Sequence, residues 1–129
     1  MKDKLLELLN KAYAPYSNFR VSAILETTDG KIYTGVNIEN ASYGATVCAE
    51  RVAIFKAVSD GYRKGDFKKL HVMVDSPKIS SCCFMCRQVI SEFFNNDTEI
   101  ILYNNKGEYK TYTKEELCPL PFNSEDLDV

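Results

Sequence analysis

Two short cysteine groups constrain this chain more than any other feature: Cys48-Ala49-Glu50, and Ser81-Cys82-Cys83-Phe84-Met85-Cys86-Arg87-Gln88. A cysteine two residues ahead of a glutamate says little alone. A downstream Cys-x-x-Cys changes that, because Cys48, Cys83 and Cys86 then supply three soft ligands and leave one position of a tetrahedral zinc open. Catalytic zinc sites have this form, whereas structural sites close the fourth position with another protein ligand. Glu50 is the candidate for moving protons beside a metal-activated water.

At 129 residues the chain suits a single compact domain, spanning 1–129, that can bury a core. Five cysteines without a secretory leader argue for thiols or metal ligands rather than disulfides, as do the odd count and the crowding of Cys82, Cys83 and Cys86. Cys118 stands apart, before Pro119, and reads as an inert thiol. Met1 to Asn10 is charged and amphipathic rather than a signal peptide, and no apolar run is long enough to span a membrane, so a cytoplasmic location is expected. A formal charge of -2 gives no basic surface for nucleic acid; Arg63, Lys64, Lys68 and Lys69 read as a solvated loop.

Leucines at 5, 6, 8 and 9 predict an amphipathic helix over Asp3 to Ala14, with Asp3 as N-cap and Pro15 as its stop. Val21 to Glu26 reads as a strand, Thr28-Asp29-Gly30 as a hairpin turn, and Lys31 to Glu39 as the returning strand. A helix follows from near Cys48 to about Ser59. Leu70 to Val74 reads as a buried strand, a second cysteine-led helix runs from near Cys83 through Phe94, and strands follow at Glu99 to Tyr103 and Glu108 to Tyr112. The tail carrying Pro119, Pro121 and Phe122 reads as irregular. Helices between strands predict an α/β protein of three layers, a five-stranded mixed sheet between helices. Both cysteine groups then lie at helix N-termini, where free amides and the helix dipole favour thiolate.

Several ordered stretches resemble the small homotetrameric cytidine deaminases. Tyr13-Ala14-Pro15-Tyr16-Ser17-x-Phe19 is similar to the family's N-terminal signature, Asn37-Ile38-Glu39-Asn40-Ala41-Ser42-Tyr43 to its substrate loop, and Phe122-x-Ser124-Glu125-Asp126-Leu127 to its C-terminal segment. Cys48-Ala49-Glu50-Arg51 and Cys83-x-x-Cys86-Arg87-Gln88 resemble its zinc site. The resemblance implies zinc-dependent hydrolysis of cytidine and deoxycytidine to uridine and deoxyuridine with release of ammonia, a task of pyrimidine salvage. It makes Cys48, Cys83 and Cys86 the Zn²⁺ ligands and Glu50 the proton shuttle between the attacking water, ring N3 and the leaving amine. It places Asn37 and Glu39 on the ribose hydroxyls, Phe19 beside the base, Ala49 among the substrate contacts, and Phe122 in a neighbouring subunit's site. Three thiolates and Zn²⁺ sum to one negative charge, which Arg51 would offset by hydrogen bonding to ligand sulfur. Gln88 and Tyr43 belong by the same resemblance to the surrounding polar and interface shell.

The chain departs from the family pattern at three places. Where the family reads Pro-Cys-Gly-x-Cys, Cys82 replaces the proline and Phe84 the glycine, and Ser22 stands where glycine is common. These departures keep two other functions in view: a deaminase of another aminopyrimidine nucleoside such as blasticidin S, and a non-catalytic module whose structural zinc is completed by Cys82. Outside the resemblance, Glu50 and Arg51 read as ordinary residues of a first helical turn, and Phe19 and Phe122 as core residues. His71, the single histidine, reads as a packed or edge residue of its strand rather than a ligand.

Overall fold

A computed structural model describes residues 1–127. Its elements, in order, are α1 (Lys2–Leu9), β1 (Val21–Thr27), β2 (Ile32–Val36), α2 (Ala49–Ser59), β3 (Phe67–Val74), α3 (Phe84–Phe93), β4 (Glu99–Tyr103), β5 (Tyr109–Thr113) and α4 (Lys114–Leu117), with single 3₁₀ turns at Tyr43–Ala45 and Ser124–Leu127. The strands form one sheet in the order β2-β1-β3-β4-β5. Only the β3–β4 pair is parallel, crossed over by α3; the others are antiparallel. The expected mixed five-stranded sheet is therefore present.

Strand alternation divides the core into two layers. Ala23, Leu25, Leu70, Val72, Ile100 and Leu102 face α2 and α3, meeting Ala53, Ile54, Ala57, Ile90 and Phe94. Ile24, Met73, Ile101 and Tyr103 face the other way, onto Leu5, Leu8 and Leu9 of α1. Ser22, on the α1 side, is fully buried and donates its hydroxyl to the Leu5 carbonyl at 2.9 Å. A side chain thus does useful work where the family commonly has glycine. His71 is buried on this same face, between Glu26 and the Tyr103 hydroxyl, far in topology from the cysteines.

β3 begins at Phe67 rather than Leu70, two further boundaries need correcting, and one short helix was not expected. α1 stops at Leu9, well before Pro15, and Met1 rather than Asp3 occupies the N-cap. The cause is tertiary. Tyr13 is drawn into pairing beside Ile38, its N–H donating to the Asn37 carbonyl and its carbonyl accepting from the Glu39 N–H. β2 likewise ends at Val36 rather than Glu39. At the next residue the Asn37 side chain takes over the ladder: Oδ1 accepts from the Val21 N–H at 2.9 Å, and Nδ2 donates to the Phe19 carbonyl at 2.7 Å. The backbone, released from β1, runs on to bridge Ile38 with both Tyr13 and Val47. Finally, α4 breaks the run after β5; its capping box pairs Thr113 with Glu116, a Thr-x-x-Glu signal present in the sequence.

α2 lies unusually close to the sheet at Gly35. A Cβ there would overlap the Ala49 carbonyl and sit 2.7 Å from the Ala53 amide nitrogen, both backbone atoms that cannot swing aside. Gly35→Ala is expected to destabilise the fold by about 1–3 kcal/mol or more through overpacking, measured by chemical denaturation. An unchanged midpoint would show that α2 can retreat freely.

Arg20 clamps the ends of β1 and β3 together, its Nε donating to Asp75 at 3.0 Å. That contact, with help from Asn105, holds the Asp75 carboxyl below its ordinary value. A depressed folded-state pKa gives stability that is present above the unfolded value and lost as pH falls through the folded one. Asp75→Asn is therefore expected to cost about 1 kcal/mol at neutral pH, a modest figure for a partly exposed pair. The stabilities of wild type and variant should converge in strong acid; a gap that stays constant with pH would contradict the ion pair.

Candidate metal centre and active site

Both cysteine groups sit where the sequence placed them, at helix starts. Cys48 is the N-cap of α2 and Cys83 the N-cap of α3. Cys86, one turn into α3, is buried, and its backbone N–H donates to the Cys83 sulfur at 3.4 Å. The sulfurs of Cys48, Cys83 and Cys86 all lie within 4.8 Å of one another, a grouping positioned to bind a metal ion. Those of Cys48 and Cys83 are 3.7 Å apart. Three thiolates at helix N-termini form a soft donor set that suits zinc.

The electrostatics divide the thiols. Hydrogen bonds from Cys86 and then from Arg51 pull the Cys48 thiol down to about 5, against the opposing effect of burial. Cys86 in turn is pushed up by its bond to Cys48 and by burial, so it holds the proton that a metal would displace. Arg51 Nη2 donates to the Cys48 sulfur at 3.6 Å, as expected of a counter-charge. Its Nε is buried without a hydrogen-bond partner.

Glu50 is buried beside this group, only 4% exposed. Desolvation, and then the Cys48 thiolate, push its carboxyl up. It opens onto a cavity of about 280 Å³ whose walls also include Phe19, Asn37, Glu39, Cys48 and Cys83. Widely separated candidates from the sequence thus share one small chamber, of a size near the lower end for small-molecule sites. A second cavity of about 400 Å³, lined by Tyr16 and Tyr43, shares Ser17, Glu39 and Thr46 with it.

Other candidates stand elsewhere. Ala49 is fully buried in the core and does not line the chamber. Phe122 is exposed and outside it as well; its carbonyl accepts a 2.8 Å hydrogen bond from Gln88, which therefore anchors the tail. Glu39 accepts from the Tyr16 and Ser17 amides at 3.0 and 3.1 Å and from the Ser17 hydroxyl, bonds that hold its carboxyl low, the hydroxyl most of all. Sequence reasoning did not single out Ser17 or Arg87. Both lay inside quoted signatures, Ser17 in the N-terminal one and Arg87 in the zinc-site one, but neither was given a role.

Cys82 does not close the metal site. Among the described residues the metal-competent group contains Cys48, Cys83 and Cys86 alone. Cys82 is buried, and its thiol is pushed well up by desolvation and by Glu50 beside it. Cys83→Ser is therefore expected to lose tightly bound zinc, while Cys82→Ser retains it, read by metal analysis after dialysis. The reverse result would reassign the ligand.

Among the described residues, no helix is long and apolar enough to cross a membrane. The family model for the cytidine and deoxycytidylate deaminase zinc-binding region matches residues 1–103. A cytidine deaminase of Sporosarcina psychrophila is 50% identical over 117 residues, 91% of this chain and 85% of its own length. The crystal structure of cytidine deaminase from Burkholderia pseudomallei superposes with a TM-score of 0.86 at 41% identity, covering 95% of this chain and 99% of that one. A blasticidin-S deaminase of Bacillus cereus is more distant, 36% identical over 110 residues, 79% of this chain and 76% of its own. With the family model matching most of its length and relatives alike over more than nine tenths of it, the chain belongs to the cytidine and deoxycytidylate deaminase family.

Proposed function

We propose that this single-domain protein hydrolyses cytidine and deoxycytidine to uridine and deoxyuridine, releasing ammonia. The observation that carries the reading is a buried carboxyl, Glu50, facing the same small chamber as the sulfurs of Cys48 and Cys83. Cys48, Cys83 and Cys86 would hold zinc, which would supply a Lewis acid that eases loss of a proton from a water facing C4 of the pyrimidine. Glu50 takes that water's proton on its carboxylate as the oxygen adds to C4 and delivers it to ring N3; it then passes the proton left on that oxygen to the amino group, which departs as ammonia as the C4 carbonyl forms. Burial suits it to both halves of the task, since a raised proton affinity lets one carboxyl take and return a proton.

The remaining wall residues bind and orient. Asn37 is pinned by Phe19 and Val21, which leaves a second amide N–H free for a ribose hydroxyl. Glu39 accepts hydrogen bonds only, so ribose hydroxyls replace or join the Ser17 donor. Phe19, 44% exposed, offers a ring face to the base. Phe122 and Tyr43, exposed in one chain, fit the reading that four copies assemble with shared sites. The cytoplasm, where free nucleosides are salvaged, is the matching compartment.

A second reading, a related aminopyrimidine nucleoside such as blasticidin S, is supported by the 36% identity to a blasticidin-S deaminase; side-by-side rates on the two substrates separate them. Glu50→Gln should lower the rate of cytidine deamination by about 10²–10⁴-fold with zinc content unchanged, followed by the fall in cytidine absorbance. A fully active variant would remove Glu50 from the mechanism.

A further inference from the structure

Arg87 has no part in the chemistry above, yet its guanidinium is engaged in three directions. Nε donates to the Cys82 carbonyl at 2.9 Å, Nη1 to the Leu117 carbonyl at 2.9 Å, and Nη2 to Ser81 Oγ at 2.7 Å. The Phe84 ring covers it, 4.5 Å from centroid to Cζ. These acceptors belong to separate segments. Leu117 is the last residue of α4, whereas Ser81 and Cys82 end the irregular stretch that leads from β3 into Cys83.

Cys83 depends on such support more than its partners do. Cys86 is buried within α3, and Cys48 receives a hydrogen bond from Arg51. Cys83 is exposed, at the end of a segment without regular structure, and its sulfur accepts the Cys86 backbone N–H at 3.4 Å rather than a charged donor. The Cys82 carbonyl belongs to the rigid peptide that joins Cys82 to Cys83, so a bond to it fixes the plane from which the Cys83 side chain departs. Only a planar fork makes all three bonds together; an ammonium is a single point.

We propose that Arg87 is a positioning residue: it ties the Cys82–Cys83 peptide to α4 and thereby holds the Cys83 sulfur where zinc is retained. Phe84 is the second part of this clasp. It is 79% exposed and stands where the family pattern has glycine, and its ring supplies a cation–π face that glycine lacks. Bulk at position 84 thus serves the metal centre rather than obstructing it. The inference rests on Cys48, Cys83 and Cys86 being the zinc ligands.

The test is zinc release from the loaded protein into a chromogenic chelator, together with the absorption spectrum of the cobalt-substituted protein, for wild type, Arg87→Met, Arg87→Lys and Phe84→Leu. Release from Arg87→Met should be about 10–100-fold faster, the usual scale for groups that orient metal ligands. Its cobalt–thiolate bands should shift, and Arg87→Lys should fall between it and wild type. Phe84→Leu, which keeps apolar cover but loses the aromatic face, should release about threefold faster. A folded Arg87→Met with wild-type release and spectrum would overturn the proposal. Should that variant not fold, wild-type behaviour of both Arg87→Lys and Phe84→Leu would overturn it equally. A wild-type protein that holds no zinc would sink the metal centre, and this inference with it.

Discussion

At Gly35 the first turn of α2 rests on β2 with no side chain between them. The missing Cβ would collide with the Ala49 carbonyl, and Ala49 lies between Cys48 and Glu50. One backbone contact therefore sets the height above the sheet of both a candidate metal ligand and the candidate proton carrier. Fully buried Ala53 and Ala57 continue the same close approach along the helix. Small residues keep α2 low, and the chamber is the space left between its first turn and the divergence of β2.

Charge at the centre is handled by proximity rather than by broad surface potential. Cys48 and Cys83 each stand at the positive end of a helix dipole, and Cys83 also accepts the Cys86 amide. Arg51 adds a full positive charge at the Cys48 sulfur. Glu50, buried a residue before that arginine, is driven the other way, towards holding its proton. A thiol held low and a carboxyl held high within one small volume divide the work of binding a cation and moving a proton.

Much of this was legible in the sequence, and the reasons are local. Cys48 and Cys83 head their helices because apolar periodicity begins just after each. β4 was readable to the residue, since Glu99 to Tyr103 is a short apolar run bounded by turn formers. What the sequence concealed was settled by distant partners. Nothing near Leu9 announces that α1 will stop there; the cause is Tyr13 pairing with residues 37 to 39. Asn37 and Glu39 looked like alternate positions of one strand, yet Asn37 turns its amide inward and ends the ladder. α4 was within reach, because Thr113 and Glu116 spell a capping box, but its single turn is too short for periodicity to show. Arg87 stood in the zinc-site motif, but its role could not be read, since its acceptors at Ser81, Cys82 and Leu117 meet only in the fold.

The Asn37 amide also links the chamber to the sheet edge. The side chain that closes the β1 ladder at Val21 is itself part of the chamber wall. A ligand that draws on this amide tugs on the backbone of Phe19 and Val21, and the start of β1 becomes a mechanical reporter of what the chamber holds. Occupancy should then register as slowed solvent exchange of the Val21 amide proton, a signal from the frame rather than from the chemistry.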